Sequence, residues 1–231
     1  MRNLLPLFLD LAGRDVLLVG GGPVAAAKLR QLRAAGARVT VVSPLVLAEI
    51  AHTSDREGDG AVHIVRRPFA PEDLDGAWLV VAAATSEVNR EVAAAAEARR
   101  IFVNAVDDPA NATAYLSGVI RRQGVTVAIS TSGAAPAMTS LLREAIDAVL
   151  PRDLAEWMRT AREQRHRWRR DRISMEARKP LLLRALNALY DPADVDSTDP
   201  IDAVDPIDRI TLPAAAVPKV PWLSGPEDSW L

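Results

Sequence analysis

A triple glycine set between a strand pattern and a helix pattern constrains this chain more than any other feature. Asp15–Val19 (DVLLV) is a short apolar run, Gly20-Gly21-Gly22 follows at once, and Val24–Ala35 (VAAAKLRQLRAA) is rich in helix formers until Gly36 stops it. Gly20 to Ala25 fits G-x-G-x-x-[GA], and its place between a buried strand and a helix gives the match its weight. In this arrangement Gly20 permits a tight turn and Gly22 lets the backbone approach a pyrophosphate, while Ala25 allows close helix–sheet packing. Gly21, Pro23 and Val24 complete the loop and the first helical turn, whose free amides and dipole favour an anion. The structural alternative is a glycine turn without a ligand.

The strand–helix alternation continues. Arg38–Val42 is β-branched and ends at Ser43-Pro44, and a helix is expected over Leu45–Arg56. Val62–Val65, Trp78–Ala83 and Ile101–Asn104 read as further strands, with a helix over Glu87–Arg99. This order argues for an α/β fold with a doubly wound parallel sheet. Ligands of such sheets lie outside the carboxyl ends of the strands. That edge carries Ala83-Ala84-Thr85, small enough for a dinucleotide to lie close, although plain close packing explains the same residues. It also carries Ser43, where an acid that binds the NAD ribose or an arginine for a 2′-phosphate is usually expected. Ser43 offers a hydroxyl to a ribose, and the residues leave NAD and NADP open.

Beyond residue 105 the pattern changes. Ala114–Arg121 and Val125–Ser130 read as strands, and after the loop Thr131–Ala135, Pro136 opens a helix to about Val149. Pro151–Tyr190 is helical in pattern. Arg152–Arg184 holds eleven basic and five acidic residues, read either as a solvated helix face or as a cationic wall for a polyanion. From Asp191 the chain carries seven of its sixteen prolines and nine acids against two bases, and little regular structure is expected there.

Composition excludes several functions. The chain of 231 residues has no cysteine, so disulfides, thiolate metal sites and cysteine nucleophiles are ruled out. Its three histidines, His52, His63 and His166, form no metal-ligand motif, and no resident metal is assigned. A net charge of −2 gives no bulk affinity for nucleic acid. No apolar run nears the roughly 18 residues of a membrane span, and the start, MRNLLPLFLDLAGRDV, is too short and too early broken by Asp10 for a signal peptide. A cytoplasmic location is the expectation.

The fifth strand ends in Asn104-Ala105-Val106-Asp107-Asp108-Pro109, placing two acids at the ligand edge. An Asx-turn into Pro109 explains them equally well on local pattern. With these residues in view, the chain resembles the siroheme-synthase N-terminal module, the precorrin-2 dehydrogenase/sirohydrochlorin ferrochelatase family. The matching pieces come in order: Leu5-Pro6-Leu7-Phe8, Val19 to Ala25 with Lys28, Ala83-Ala84-Thr85 with Asn89, Asn104 to Pro109, Val127 to Gly133 through Pro136, and Leu141-Leu142-Arg143-Glu144. The likeness covers about residues 3–185.

The resemblance implies an NAD-binding Rossmann domain over 1–112, a small central α+β dimerisation region over 113–150 and a helical domain over 151–190, with the tail 191–231 outside it. It implies NAD⁺-dependent oxidation of precorrin-2 to sirohydrochlorin, with insertion of Fe²⁺ or Co²⁺ as a second activity and a homodimer as the working state. Asp107 matches the aspartate implicated in both reactions. The family's aromatic and proline after this motif are represented here by Tyr115 alone. The rival reading is a Rossmann module that senses NAD(H) without catalysis, which has no need for Asp107.

Overall fold

The computed structural model describes residues 4–53 and 61–190. The acidic tail expected to lack regular structure lies outside the described residues. Two compact units emerge: one holds the chain up to Ser117 with Ser130–Thr139, the other Gly118–Ile129 and the described residues from Ser140 on.

In the first unit β1 (Asp15–Val19), β2 (Arg38–Val42), β3 (Val62–Val65), β4 (Leu79–Ala82) and β5 (Phe102–Ala105) form one sheet in the order β3-β2-β1-β4-β5, every pair parallel. This is the Rossmann-type α/β sheet that the sequence patterns predict. β4, and β1 after Asp15, are continuously apolar and buried, as strands covered on both faces require. Val16, Leu18, Val39, Val41 and Val81 point to one side, where α1 (Pro23–Ala34) contributes Ala25, Ala26, Leu29 and Leu32. Leu17, Val19, Val80, Ala82 and Val103 point to the other, against Val92 and Ala96 of α3 (Ser86–Arg99) and Leu74 of a 3-10 turn at Pro71–Leu74.

α1 has a local reason to start and to stop. Pro23 occupies the first turn of α1, where its missing N–H costs nothing. The α1 end turns at Gly36, whose φ of +75° favours glycine and whose N–H donates to the Arg33 carbonyl at 2.8 Å.

Two expected elements differ. The helix predicted over 45–56 is only α2, Ala48–Ala51, within the described residues. The residues before it are held to the glycine loop instead: the Leu47 N–H donates to the Gly21 carbonyl at 2.9 Å. The strand predicted from Ala114 starts at Gly118. Thr113 and Ala114 both donate to the Val103 carbonyl, and Asn104 Nδ2 donates to the Ala114 carbonyl at 3.0 Å, so this stretch is bound to β5.

In the second unit β6 (Gly118–Arg122) and β7 (Val125–Ile129) form an antiparallel hairpin. Arg122 ties it to α4 (Pro136–Val149) through Asp147 at 2.7 Å and the Leu150 carbonyl. α5 (Leu154–Arg170) and α6 (Met175–Asn187) pack together, and Trp157 Nε1 donates to the Tyr190 hydroxyl, which donates to Asp153. Along α5 Trp168 is buried, whereas Arg162, Arg165, Arg167, Arg169 and Arg170 are exposed. Gly133 lies against Pro109 and Tyr115, and its loop belongs to the first unit.

Leu18 has no exposed surface. Leu18→Ala should cost about 2–5 kcal/mol of stability, measured by urea unfolding, as expected for a deep core cavity.

Candidate active site

The sheet gathers the predicted site residues of the first unit on one edge, the carboxyl ends of β1, β2, β4 and β5. At the end of β1, Gly20 adopts φ +124°, and its N–H donates to the Val42 carbonyl at 2.9 Å. A Cβ there would stand 2.2 Å from the Ala83 carbonyl oxygen, so no other residue fits. At Gly21 a Cβ would stand 1.9 Å from the Leu45 carbonyl oxygen. Gly22 is different: nothing lies within 4 Å of its Cβ position. It is the N-cap of α1 and has extended backbone, so its φ is no reason for glycine. The free space above it, beside the unpaired amides of the first turn, is what a close-lying pyrophosphate requires. Pro23 and Val24 flank that space and are exposed, and Ala25 is fully buried against the sheet. The residues therefore fit a dinucleotide.

Ser43 Oγ donates to the Leu45 carbonyl at 2.7 Å, leaving its lone pairs to accept. Ala84 and Thr85 are exposed at the end of β4, and Thr85 is the N-cap of α3. In the first turn of α3, Glu87 is held below the ordinary carboxylate range by its own backbone amide and then by the Thr85 hydroxyl. Asn89, only 3% exposed, joins the two strand ends: its Oδ1 accepts from the Ala84 N–H at 3.1 Å and its Nδ2 reaches the Val106 carbonyl at 3.5 Å. No role for Asn89 emerges from composition or periodicity. Its signals are a lone amide in the helix SEVNREVAAA and its place beside Ala83-Ala84-Thr85 in the family resemblance.

The two acids after β5 divide in role. Asp108 accepts from Asn111 Nδ2 at 2.7 Å, and the Asn111 N–H donates to the Asp108 carbonyl, so Asp108 makes the Asx-type turn. Asp107 is exposed in the left-handed region at φ +56°, and among the described residues its carboxylate takes part in no hydrogen bond or ion pair. Aspartate tolerates this conformation better than most residues. Tyr115 follows, its hydroxyl donating to the Pro109 carbonyl at 3.1 Å. Among the described residues no three His, Asp or Glu side chains are grouped as a metal ion would require.

Comparison with known proteins agrees with this geometry. A family described as "Putative NAD(P)-binding" matches residues 7–118. Siroheme synthase 3 of Aeromonas hydrophila is 41% identical over 185 residues, covering 80% of this chain and 39% of that protein. The siroheme synthase of Photorhabdus laumondii is 38% identical over 187 residues, with the same coverage. Over four fifths of its length the chain is similar to siroheme synthases. It spans about two fifths of the length of the siroheme synthases it matches. Among solved structures, "SirC, precorrin-2 dehydrogenase" superposes with a TM-score of 0.61 at 26% identity, covering 81% of this chain and 92% of SirC.

The three glycines should separate on substitution. Gly20→Ala should destabilise the fold, since the methyl meets a carbonyl at 2.2 Å. Gly22→Asp should leave the unfolding transition in place while NAD⁺ affinity, measured by calorimetry, falls at least about tenfold, or 1.4 kcal/mol.

Proposed function

We propose that this chain oxidises precorrin-2 to sirohydrochlorin with NAD⁺ as hydride acceptor. The observation that carries the reading is Asp107, an exposed carboxylate at the ligand edge of a Rossmann sheet that makes no hydrogen bond or ion pair among the described residues. Roughly 40% identity to siroheme synthases and the likeness to a precorrin-2 dehydrogenase give that carboxylate its substrate class. A purely NAD(H)-sensing module gains no support from either.

NAD⁺, when bound, takes the hydride. Gly22 and the first turn of α1 would hold the pyrophosphate, and Ala84 and Thr85 would border the dinucleotide at the end of β4. Oxidation of the macrocycle removes two electrons as hydride and releases a proton. Asp107 accepts that proton and passes it to water. The turn that Asp108 makes with Asn111 sets the direction in which the chain leaves Asp107. The same carboxylate serves a second step, in which Fe²⁺ or Co²⁺ enters as substrate. Two pyrrole N–H protons must then leave, and Asp107 is the base that accepts them in turn. The reading includes a homodimer in the cytoplasm. Among the described residues no helix is long and apolar enough to cross a membrane.

The test is anaerobic turnover of precorrin-2 with NAD⁺, following NADH absorbance and the sirohydrochlorin spectrum before Fe²⁺ or Co²⁺ is added. Asp107→Asn should lower turnover by roughly 10²–10⁴-fold, with NAD⁺ affinity retained. Asp108→Asn should cost stability more than turnover. Normal turnover in both variants would show that the chemistry lies elsewhere.

A further inference from the structure

α5 is a one-sided helix: its seventeen residues hold six arginines against two glutamates. Leu154, Trp157, Met158, Ala161 and Trp168 recur at helical spacing and are buried or half-buried, which turns the arginines outward. Two of the six are paired, Arg159 with Glu156 and Arg170 with Asp171 at 2.8 Å. Arg162, Arg165, Arg167 and Arg169 are exposed and make no hydrogen bond or ion pair among the described residues. The other glutamate, Glu163, is exposed beside them. Like charges three and four residues apart on a helix repel, so this face favours an anion brought from elsewhere.

The same chain carries such an anion. Residues 191–208 hold seven aspartates and no base, and Asp196, Asp199, Asp202, Asp205 and Asp208 recur at every third position. The whole tail, 191–231, has nine acids and two bases, which leaves 26 bases and 21 acids in the rest of the chain. The net charge of −2 is therefore the near-cancellation of a basic body and an acidic tail.

The tail also departs from the arginine helix itself. Tyr190, the residue before it, accepts from Trp157 Nε1 and donates to Asp153, the N-cap of α5. Asp191 thus follows a residue fixed to the first turn of α5. From Trp157 to Arg169 the helix rises about 18 Å. Residues 191–208 reach about 60 Å when extended, so each of the four arginines lies within range of several aspartates. A single exposed ion pair contributes little, but a tethered repeat offers many at high local concentration.

We propose that residues 191–208 dock along the arginine face of α5 in their own chain, with aspartates against Arg162, Arg165, Arg167 and Arg169. The tail is then a built-in polyanion, and any outside polyanion that binds this face must displace it. This docking does not depend on the oxidation assigned to Asp107.

The chain has no cysteine, so Ser197→Cys in the full-length protein takes a single nitroxide label within the repeat. In the ¹⁵N-labelled protein, the backbone amides of Arg162–Arg169 should lose intensity to the nitroxide at about 0.1 M NaCl. They should regain it at about 1 M, where the screening length falls from about 10 Å to about 3 Å. Arg162→Gln, Arg165→Gln and Arg169→Gln together should abolish the loss at the lower salt and keep the unfolding midpoint, as exposed positions allow. Asp199→Asn, Asp202→Asn and Asp205→Asn together should abolish it as well. No loss at α5 in the spin-labelled chain without these changes overturns the docking and leaves the face free for an outside anion. An equal loss in either set of variants overturns it too, because tethering alone then explains the proximity. In a mixture of ¹⁵N-labelled chains without nitroxide and unlabelled chains with it, the α5 amides should keep their intensity. A loss there places the tail on a second copy and overturns docking within the chain.

Discussion

Two backbone carbonyls pressed onto two glycines hold the ligand edge of the sheet together. The Ala83 carbonyl lies where Gly20 would carry a side chain, and the Leu45 carbonyl does the same at Gly21. These contacts join the end of β1 to the end of β4 on one side and to the chain after β2 on the other. They fall where the strand order reverses, at β1 and β4, which is where an open parallel sheet has its crevice. Gly20 and Gly21 are therefore glycines for packing. Gly22, with open space above it, is the glycine that the fold alone does not demand.

The sheet was legible because its signals are local. Short apolar or β-branched runs define strands, and Asp15–Val19, Arg38–Val42 and Val62–Val65 coincide with β1, β2 and β3. Pro136 likewise marks the start of α4. What was not legible depends on distant partners. Nothing local reveals that Leu45–Leu47 is tied to Gly21, or that Thr113 and Ala114 bond to Val103 instead of starting a strand. The site follows the same division. The loop glycines announce themselves through spacing, and Asp107 through its place after a strand. Asn89 lies in a helix of ordinary composition, and what it does depends on groups five and seventeen residues away.

Asp107 and Asp108 show how one turn separates structure from chemistry. A pair of adjacent acids invites a single explanation, yet the left-handed backbone at Asp107 sends the two side chains to different tasks. Asp108 is taken up by Asn111 and Asp107 is left exposed. The cost of a non-glycine residue in that conformation is modest for aspartate. It yields a carboxylate that no neighbour in the turn has claimed.

The Asn89 clamp makes this edge sensitive to chemical ageing. A carboxamide presents a donor and an acceptor at once, and Asn89 uses both, one toward the Ala84 amide and one toward the Val106 carbonyl. Hydrolysis of that amide to a carboxylate would leave two acceptors facing each other at Val106 and bury a negative charge within the helix–sheet interface. The ends of β4 and β5, which lead into Ala84-Thr85 and Asp107, would then lose their brace together. Such a lesion would add one unit of negative charge beside Ala84 and Val106, so an aged preparation could lose activity with Asp107 itself chemically intact.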